Sequence, residues 1–362
     1  MAIQKISIDQ FLSLSKDHPV FDVRSLAEFL HAHITSAYSL PLFNDEERKI
    51  VGTTYKQQSR QQAIKVGLDF FGVKMRKMVE EVEEIISNRQ KAISKNVQLP
   101  IANCILIYCW RGGMRSTALA WLLDLYGYKV YTLTGGYKAF RNWVLQQFEK
   151  HCYLKILGGY TGSGKTILIE ELRRLGHPVI NLEALANHKG SAFGALGEKL
   201  QPSQEMFENL LALELLSKAS PIGTDLNGIW LEDESQRIGS LNIPKSIWGK
   251  MRKSPVYFID IPFEQRLDYL VRTYGTLKKE DLVNAIIRIQ KRLGGLETKN
   301  AINYLLENNI EECFSILLKY YDKCYTKGLY NRINPDDLLN KIPCKNVSIN
   351  NIDQLYFLQN KV

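Results

Sequence analysis

Apolar and polar positions along this chain follow two periods, and both lead into short glycine-containing loops. Cys104-Ile105-Leu106-Ile107-Tyr108 is a compact run of apolar, β-favouring residues and predicts a buried strand. From Thr117 to Tyr126 apolar residues return at helical spacing until Gly127, which predicts a helix and its stop. Between the two lies Cys109-Trp110-Arg111-Gly112-Gly113-Met114-Arg115-Ser116. A cysteine at a strand end, in a loop that feeds a helix N-terminus, meets converging backbone N–H groups and the positive end of the helix dipole. Arg111 and Arg115 act in the same sense, so the loop favours a thiolate in an anion cradle. Such a group attacks a charged sulfur, selenium or phosphorus centre, or carries a transferred atom. A buried structural cysteine is the plainer alternative; two arginines and two glycines after it argue against that.

The same patterns organise the rest of the first half. Residues 8–12 predict a short helix and residues 20–24 a strand, after which Ser25 and Glu28 form a capping-box start. Residues 63–90 read as one helix, with Ile64, Leu68, Phe71, Met75, Met78, Val82 and Ile85 inward. The polar run at 53–58 is unusual, because a surface loop does not need that many amides and hydroxyls together. Residues 130–133 predict a strand before the turn Thr134-Gly135-Gly136-Tyr137, and residues 139–148 a helix leading out. The boundary is expected near residue 150, giving domains 1–148 and 149–362.

In the second half, a strand at 154–157 runs into Gly158 and then Gly159 to Thr166. That stretch fits G-x-x-x-x-G-K-[ST] through Gly159, Gly164, Lys165 and Thr166, with Gly162 and Ser163 between. A helix is expected over 167–175. The glycines let the backbone wrap phosphates, Lys165 neutralises them, and Thr166 can hold Mg²⁺. The ligand stays open between a nucleotide and another diphosphate. Strands are expected at 178–183, 229–231 and 256–261, so the domain alternates β and α. The 229–231 strand ends in Glu232-Asp233-Glu234, where a P-loop protein places its Mg²⁺-side carboxylate.

Composition narrows the class. The 362 residues carry a net charge of +9, which invites a polyanionic partner. Basic residues gather between 245 and 299, and Arg252, Lys253, Arg288, Lys291 and Arg292 are the candidates for gripping nucleic acid. The aromatic stretch at 316–325 suits packing better than base stacking, and the tail beyond Pro343 carries no signal. The six cysteines, at 104, 109, 152, 313, 324 and 344, show no metal-ligand spacing. No structural zinc is expected, and no apolar run is long enough for a membrane span. With no signal-peptide pattern at the start, the expected location is the cytoplasm. Oligomeric state is not set by the sequence.

Val20 to Arg24, Glu28-Phe29, His33-Ile34, the cysteine loop and the Thr134-Gly135-Gly136 turn together resemble a rhodanese domain. One spacing departs from it: five residues separate Cys109 from Arg115, the span with which phosphatases ring a phosphate-sized anion. Tyr108 stands where such enzymes usually have histidine, so phosphatase is a minor alternative, and the wider ring suggests a phosphorus-containing donor. The fusion of this domain to the P-loop, with Val51-Gly52-Thr53 through Gln58, Asn187-His188 and Arg237-Ile238-Gly239, resembles the tRNA 2-selenouridine synthase family. That resemblance implies an α/β chain, a rhodanese-like domain followed by a P-loop NTPase-like domain with a helical C-terminal part. It implies a tRNA partner bearing wobble 2-thiouridine, with geranyl diphosphate and selenophosphate as co-substrates. On this reading Cys109 receives or guides selenium and the P-loop holds a diphosphate. A rhodanese-fused kinase or NTPase that delivers sulfur to a small molecule is the alternative.

Overall fold

Central position in a parallel sheet explains the unbroken apolar run before Cys109. In the computed structural model, which describes residues 3–93, 104–218 and 228–359, the chain divides into two units, Met1–Gln146 and Gln147–Val362. The first contains β1 (Gln4–Ile6), α1 (Ile8–Leu14), β2 (Val20–Asp22), α2 (Leu26–His31), β3 (Ala37–Ser39), α3 (Asp45–Gln57), α4 (Arg60–Gly72) and α5 (Met75–Ile93). It continues with β4 (Cys104–Tyr108), α6 (Met114–Tyr126), β5 (Lys129–Leu133) and α7 (Gly136–Glu149), the helix in which the division falls. The sheet order is β1-β5-β4-β2-β3, all pairs parallel. A central parallel strand has no solvent face, and Ile105, Leu106 and Ile107 are fully buried. Parallel strands end on one edge, so the segments after β2, β4 and β5 meet there. Arg24 stiffens that edge: its guanidinium forks onto Asp22, donates to the Ala32 carbonyl at 2.6 Å and lies 3.8 Å from the Tyr137 ring centre.

One expectation for this unit is corrected. The single helix over 63–90 is two, α4 and α5, because the chain breaks at Gly72-Val73-Lys74, where the Lys74 N–H donates to the Phe71 carbonyl at 2.9 Å. The Lys74 ammonium pairs with Glu47 on α3 and holds the break in place. The unusual polar run 53–58 is, through Gln57, the last turns of α3. That helix starts from a capping box, with Asn44 Oδ1 accepting the Glu47 N–H at 2.8 Å and Glu47 accepting the Asn44 N–H. Thr54 turns inward and donates to the Ile50 carbonyl.

The second unit contains β6 (Leu154–Gly159), α8 (Lys165–Arg174), β7 (Val179–Ile180), α9 (Leu182–Ala186), α10 (Gln204–Lys218), β8 (Ile229–Glu232) and a hairpin of β9 (Arg237–Ile238) and β10 (Leu241–Asn242). There follow α11 (Lys245–Met251), β11 (Val256–Asp260), α12 (Phe263–Tyr274), α13 (Lys279–Leu293), α14 (Gly295–Leu306), α15 (Ile310–Tyr330), α16 (Pro335–Leu338), β12 (Leu339–Pro343) and α17 (Asn351–Gln359). Its sheet is again parallel, in the order β12-β11-β6-β8-β7, with β6 central. Helices α12 to α15 share a core of their own around Leu270, Ile286, Leu305 and Leu317. The expected strand at 178–183 shrinks to two residues, because Asn181 accepts the Ala184 N–H at 2.8 Å and starts α9. Glu183 therefore stands on a helix. The tail beyond Pro343 is structural: α17 sets Ile352 and Leu355 into the core beside Leu168 and Leu172 of α8.

Candidate functional site

The cysteine loop is held from behind by the N-terminus of α7. The Tyr137 N–H donates to the Cys109 carbonyl at 2.8 Å, and the Lys138 N–H to the Trp110 carbonyl at 3.0 Å. This approach needs glycine: Gly136 has φ +60°, and a Cβ there would stand 2.3 Å from the Cys109 oxygen. On the other side the Gly113 N–H donates to Cys109 Sγ at 3.3 Å, and Ser116 Oγ lies 3.2 Å from the same sulfur. The sulfur thus faces the first turn of α6, which begins at Met114, three residues earlier than the spacing predicts. Met114, Arg115 and Ser116 are helical, not loop.

Arg115 is brought to the site but is not a lone anion grip. Its guanidinium donates to Glu28 at 2.9 Å, and Arg48 of α3 reaches the same carboxylate oxygen at 2.8 Å. Burial would raise the Glu28 carboxyl; Arg115 and Arg48, with the Ser25 N–H, hold it below its usual range instead. Arg111 and Trp110 are exposed beside the loop. Cys109, Trp110, Arg111, Gly113, Met114 and Arg115 form one wall of a cavity of about 760 Å³ whose other walls come from α3 and α4.

The P-loop follows β6. Gly164, at φ +77°, starts α8 in the left-handed region and brings successive amides to one side. The Lys165 ammonium donates back to the Gly159 carbonyl at 2.9 Å, and Thr166 Oγ1 donates to Glu183 at 3.3 Å. Glu183, Glu232 and Glu234 each offer an oxygen within 4.8 Å of the others. Both Glu232 oxygens are buried without a hydrogen-bond partner. Burial, then Glu183 and Glu234, push the Glu232 carboxyl well above the carboxylate range. Burial and Glu183 push that of Glu234 up to about 8. Three crowded carboxyls beside a P-loop threonine, one of them unpartnered, fit a divalent cation.

Asp233 belongs elsewhere. It follows the last residue of β8 and takes an ion pair from buried Arg332 and a 2.7 Å hydrogen bond from the Tyr325 hydroxyl. Tyr325 also accepts the Gly159 N–H at 3.1 Å, so the aromatic stretch of α15 supports the P-loop by packing. Among the basic candidates, Arg252 is engaged structurally, donating to the Gly328 carbonyl at 2.8 Å, 5.4 Å from the Trp248 ring centre. Lys253 is exposed near the end of α11, and Arg288, Lys291 and Arg292 are exposed together on α13. Sequence reasoning gave no site role to Glu183, Arg332 or Tyr325, although Glu183 stood out as the acid that ends the 178–183 stretch.

Burial raises four of the other five thiols above the usual thiol range. Burial pushes Cys313 up to about 12 and, with Asp260, Cys344 up to about 11; it also raises Cys104 and Cys152. All six cysteines are free.

Two family descriptions match the chain: a rhodanese-like domain over residues 7–142 and a tRNA 2-selenouridine synthase AAA domain over residues 152–335. The chain is 33% identical to the tRNA 2-selenouridine synthase of Sulfurovum sp., over 85% of this chain and 87% of that protein. It is 33% identical to that of Bdellovibrio bacteriovorus over 92% and 94%, and 37% identical to that of Nitrosomonas europaea over 74% and 67%. With both domains matched in order and full-length relatives above 30% identity, the chain belongs to the tRNA 2-selenouridine synthase family.

Proposed function

We propose that this enzyme converts wobble 2-thiouridine of tRNA to 2-selenouridine in two steps. First, the thiocarbonyl sulfur attacks C1 of geranyl diphosphate; diphosphate leaves and N3 of the base loses its proton. Alkylation turns a poor leaving group into a good one. Selenium of selenophosphate then adds to C2, geranylthiol departs, and water removes the phosphoryl group as phosphate.

Each step has a matching set of side chains. The P-loop amides, Lys165 and Thr166 suit the diphosphate, whose charge they neutralise as it leaves. Glu183, Glu232 and Glu234 would hold Mg²⁺, which supplies further charge neutralisation on that diphosphate. Cys109, under the Gly113 N–H and Ser116 Oγ, guides selenium, and Arg111 and Arg115 hold the phosphate end. Exposed Arg288, Lys291 and Arg292 suit the tRNA backbone.

The observation that carries this reading is an intact cysteine cradle and an intact P-loop with a carboxylate cluster on one chain of this family. The test is nucleoside mass spectrometry after incubating thiolated tRNA with the protein, geranyl diphosphate and Mg²⁺, with and without selenophosphate. A geranylated nucleoside that becomes selenouridine on adding selenophosphate is the expected result. Unchanged 2-thiouridine in both reactions, with tRNA-independent ATP turnover, would establish the kinase alternative.

A further inference from the structure

The cavity over the cysteine loop is larger and greasier than an inorganic selenium donor needs. At about 760 Å³ it falls in the range of pockets that take organic ligands. Its walls include Val51, Ile64, Leu68, Phe71, Trp110 and Met114. Tyr55, Ile64, Leu68, Trp110 and Met114 are each more than a third exposed, and all five line this one concavity. Single exposed apolar residues are ordinary, but a cluster around a cavity marks a binding surface. Two of its sides are α3 and α4, from the stretch between β3 and β4 that is longer than a rhodanese connection requires. Selenophosphate, a small and strongly hydrated anion, gains nothing from such walls.

We propose that this chamber binds the branched hydrocarbon chain of a geranyl group and holds it beside Cys109. The proposal rests on the two-step reading above and adds to it a place for the chain. Ile64, Leu68, Val51 and Met114 are aliphatic and suit a branched alkenyl chain better than a flat base alone. Exposed Lys49 and Lys56 also line the cavity, so its rim suits the backbone phosphates that flank a tRNA base while its walls take the chain. Two sources share that chemistry: the S-geranyl group on the tRNA base, and geranyl diphosphate itself. In either case the chain is withdrawn from water by walls that the rhodanese sheet does not supply.

The test uses the full-length protein and anticodon stem-loop oligonucleotides carrying S-methyl or S-geranyl 2-thiouridine. The S-geranyl oligonucleotide is expected to bind at least about tenfold more tightly, as burial of many methylene groups requires. Ile64→Glu and Leu68→Glu place a charge in the wall at solvent-accessible positions of α4, where glutamate is a good helix former. Each is expected to close most of the gap. In a second arm, geranyl diphosphate and inorganic diphosphate compete with the S-geranyl oligonucleotide. Competition by the geranyl compound alone, weakened by Leu68→Glu, assigns the donor's chain to the chamber as well; no such competition assigns the base-bound chain only. Equal affinity for the two oligonucleotides, or a gap that survives both substitutions, overturns the proposal. Loss of the two-step reading is separable: it would show as no selenouridine from the S-geranyl substrate while the chain-length gap persisted.

Discussion

Ser116 Oγ lies 3.2 Å from Cys109 Sγ, in the first turn of the helix that the cysteine loop opens. The serine is buried, and its hydroxyl sits between Cys109 Sγ and the Gly113 carbonyl, to which it donates at 3.0 Å, away from solvent. Ser116→Ala is expected to slow selenouridine formation about tenfold, the scale of one hydrogen bond to a charged or strongly polar partner. Cys109→Ser is expected to abolish it, and geranylation by both variants is expected to continue. Nucleoside mass spectrometry over a time course reads both steps; a Cys109→Ser enzyme that makes selenouridine at the normal rate would remove the cysteine from the mechanism.

Lys165 donates to the Gly159 carbonyl across the P-loop and is poised over the space a phosphate takes. Lys165→Ala is expected to lower geranyl transfer about a hundredfold, since a buried charge-assisted contact to phosphate is lost. Selenation of tRNA that is already geranylated is expected to be unaffected. Supplying the variant with each substrate in turn separates the two; unchanged geranylation would show that the P-loop holds something else.

Three consecutive acids should answer substitution differently. Asp233→Asn leaves buried Arg332 without its counter-charge and is expected to cost about 3–5 kcal/mol of stability. Glu232→Gln removes a buried carboxyl that has no hydrogen-bond partner, so the metal-free protein is expected to be no less stable than the parent. The same change is expected to weaken stabilisation by Mg²⁺. Thermal unfolding with and without Mg²⁺ checks all three statements; equal loss from Glu232→Gln and Asp233→Asn would refute the division between them.

That division shows where the sequence was legible. The apolar run of residues 229–231 and the acids after it located the strand and its end. Which acids gather does not follow from the strand, which stops at Glu232, and the partner of Asp233 is Arg332, 99 positions away, which no local pattern announces. The cysteine loop and the P-loop were readable because each is a contiguous word whose geometry follows from its own glycines. Residues 63–90 misled because the apolar period runs through Gly72-Val73-Lys74, and only the pairing of Lys74 with Glu47 explains why the chain breaks there. The run 53–58 stood out for its polarity without showing its element, because Thr54 satisfies its hydroxyl on its own helix.

Exposed Lys291 and Arg292 on α13 make a separable electrostatic prediction. Lys291→Glu with Arg292→Glu is expected to weaken tRNA binding for every tRNA alike and to reduce the salt dependence of log affinity by about 1–2 units. Binding titrations at several salt concentrations test it; an unchanged slope would place the tRNA elsewhere.

The buried thiols carry a consequence for fidelity. Thiolates, not thiols, react with selenium compounds and electrophiles, and burial keeps Cys313 and Cys344 protonated far above neutral pH while raising Cys104 and Cys152. A selenium species arriving at this protein therefore meets little competition from Cys313 and Cys344, while Cys324 stands exposed. The packing that buries Cys313 and Cys344 thus doubles as a chemical filter, withholding two sulfurs from a promiscuous element.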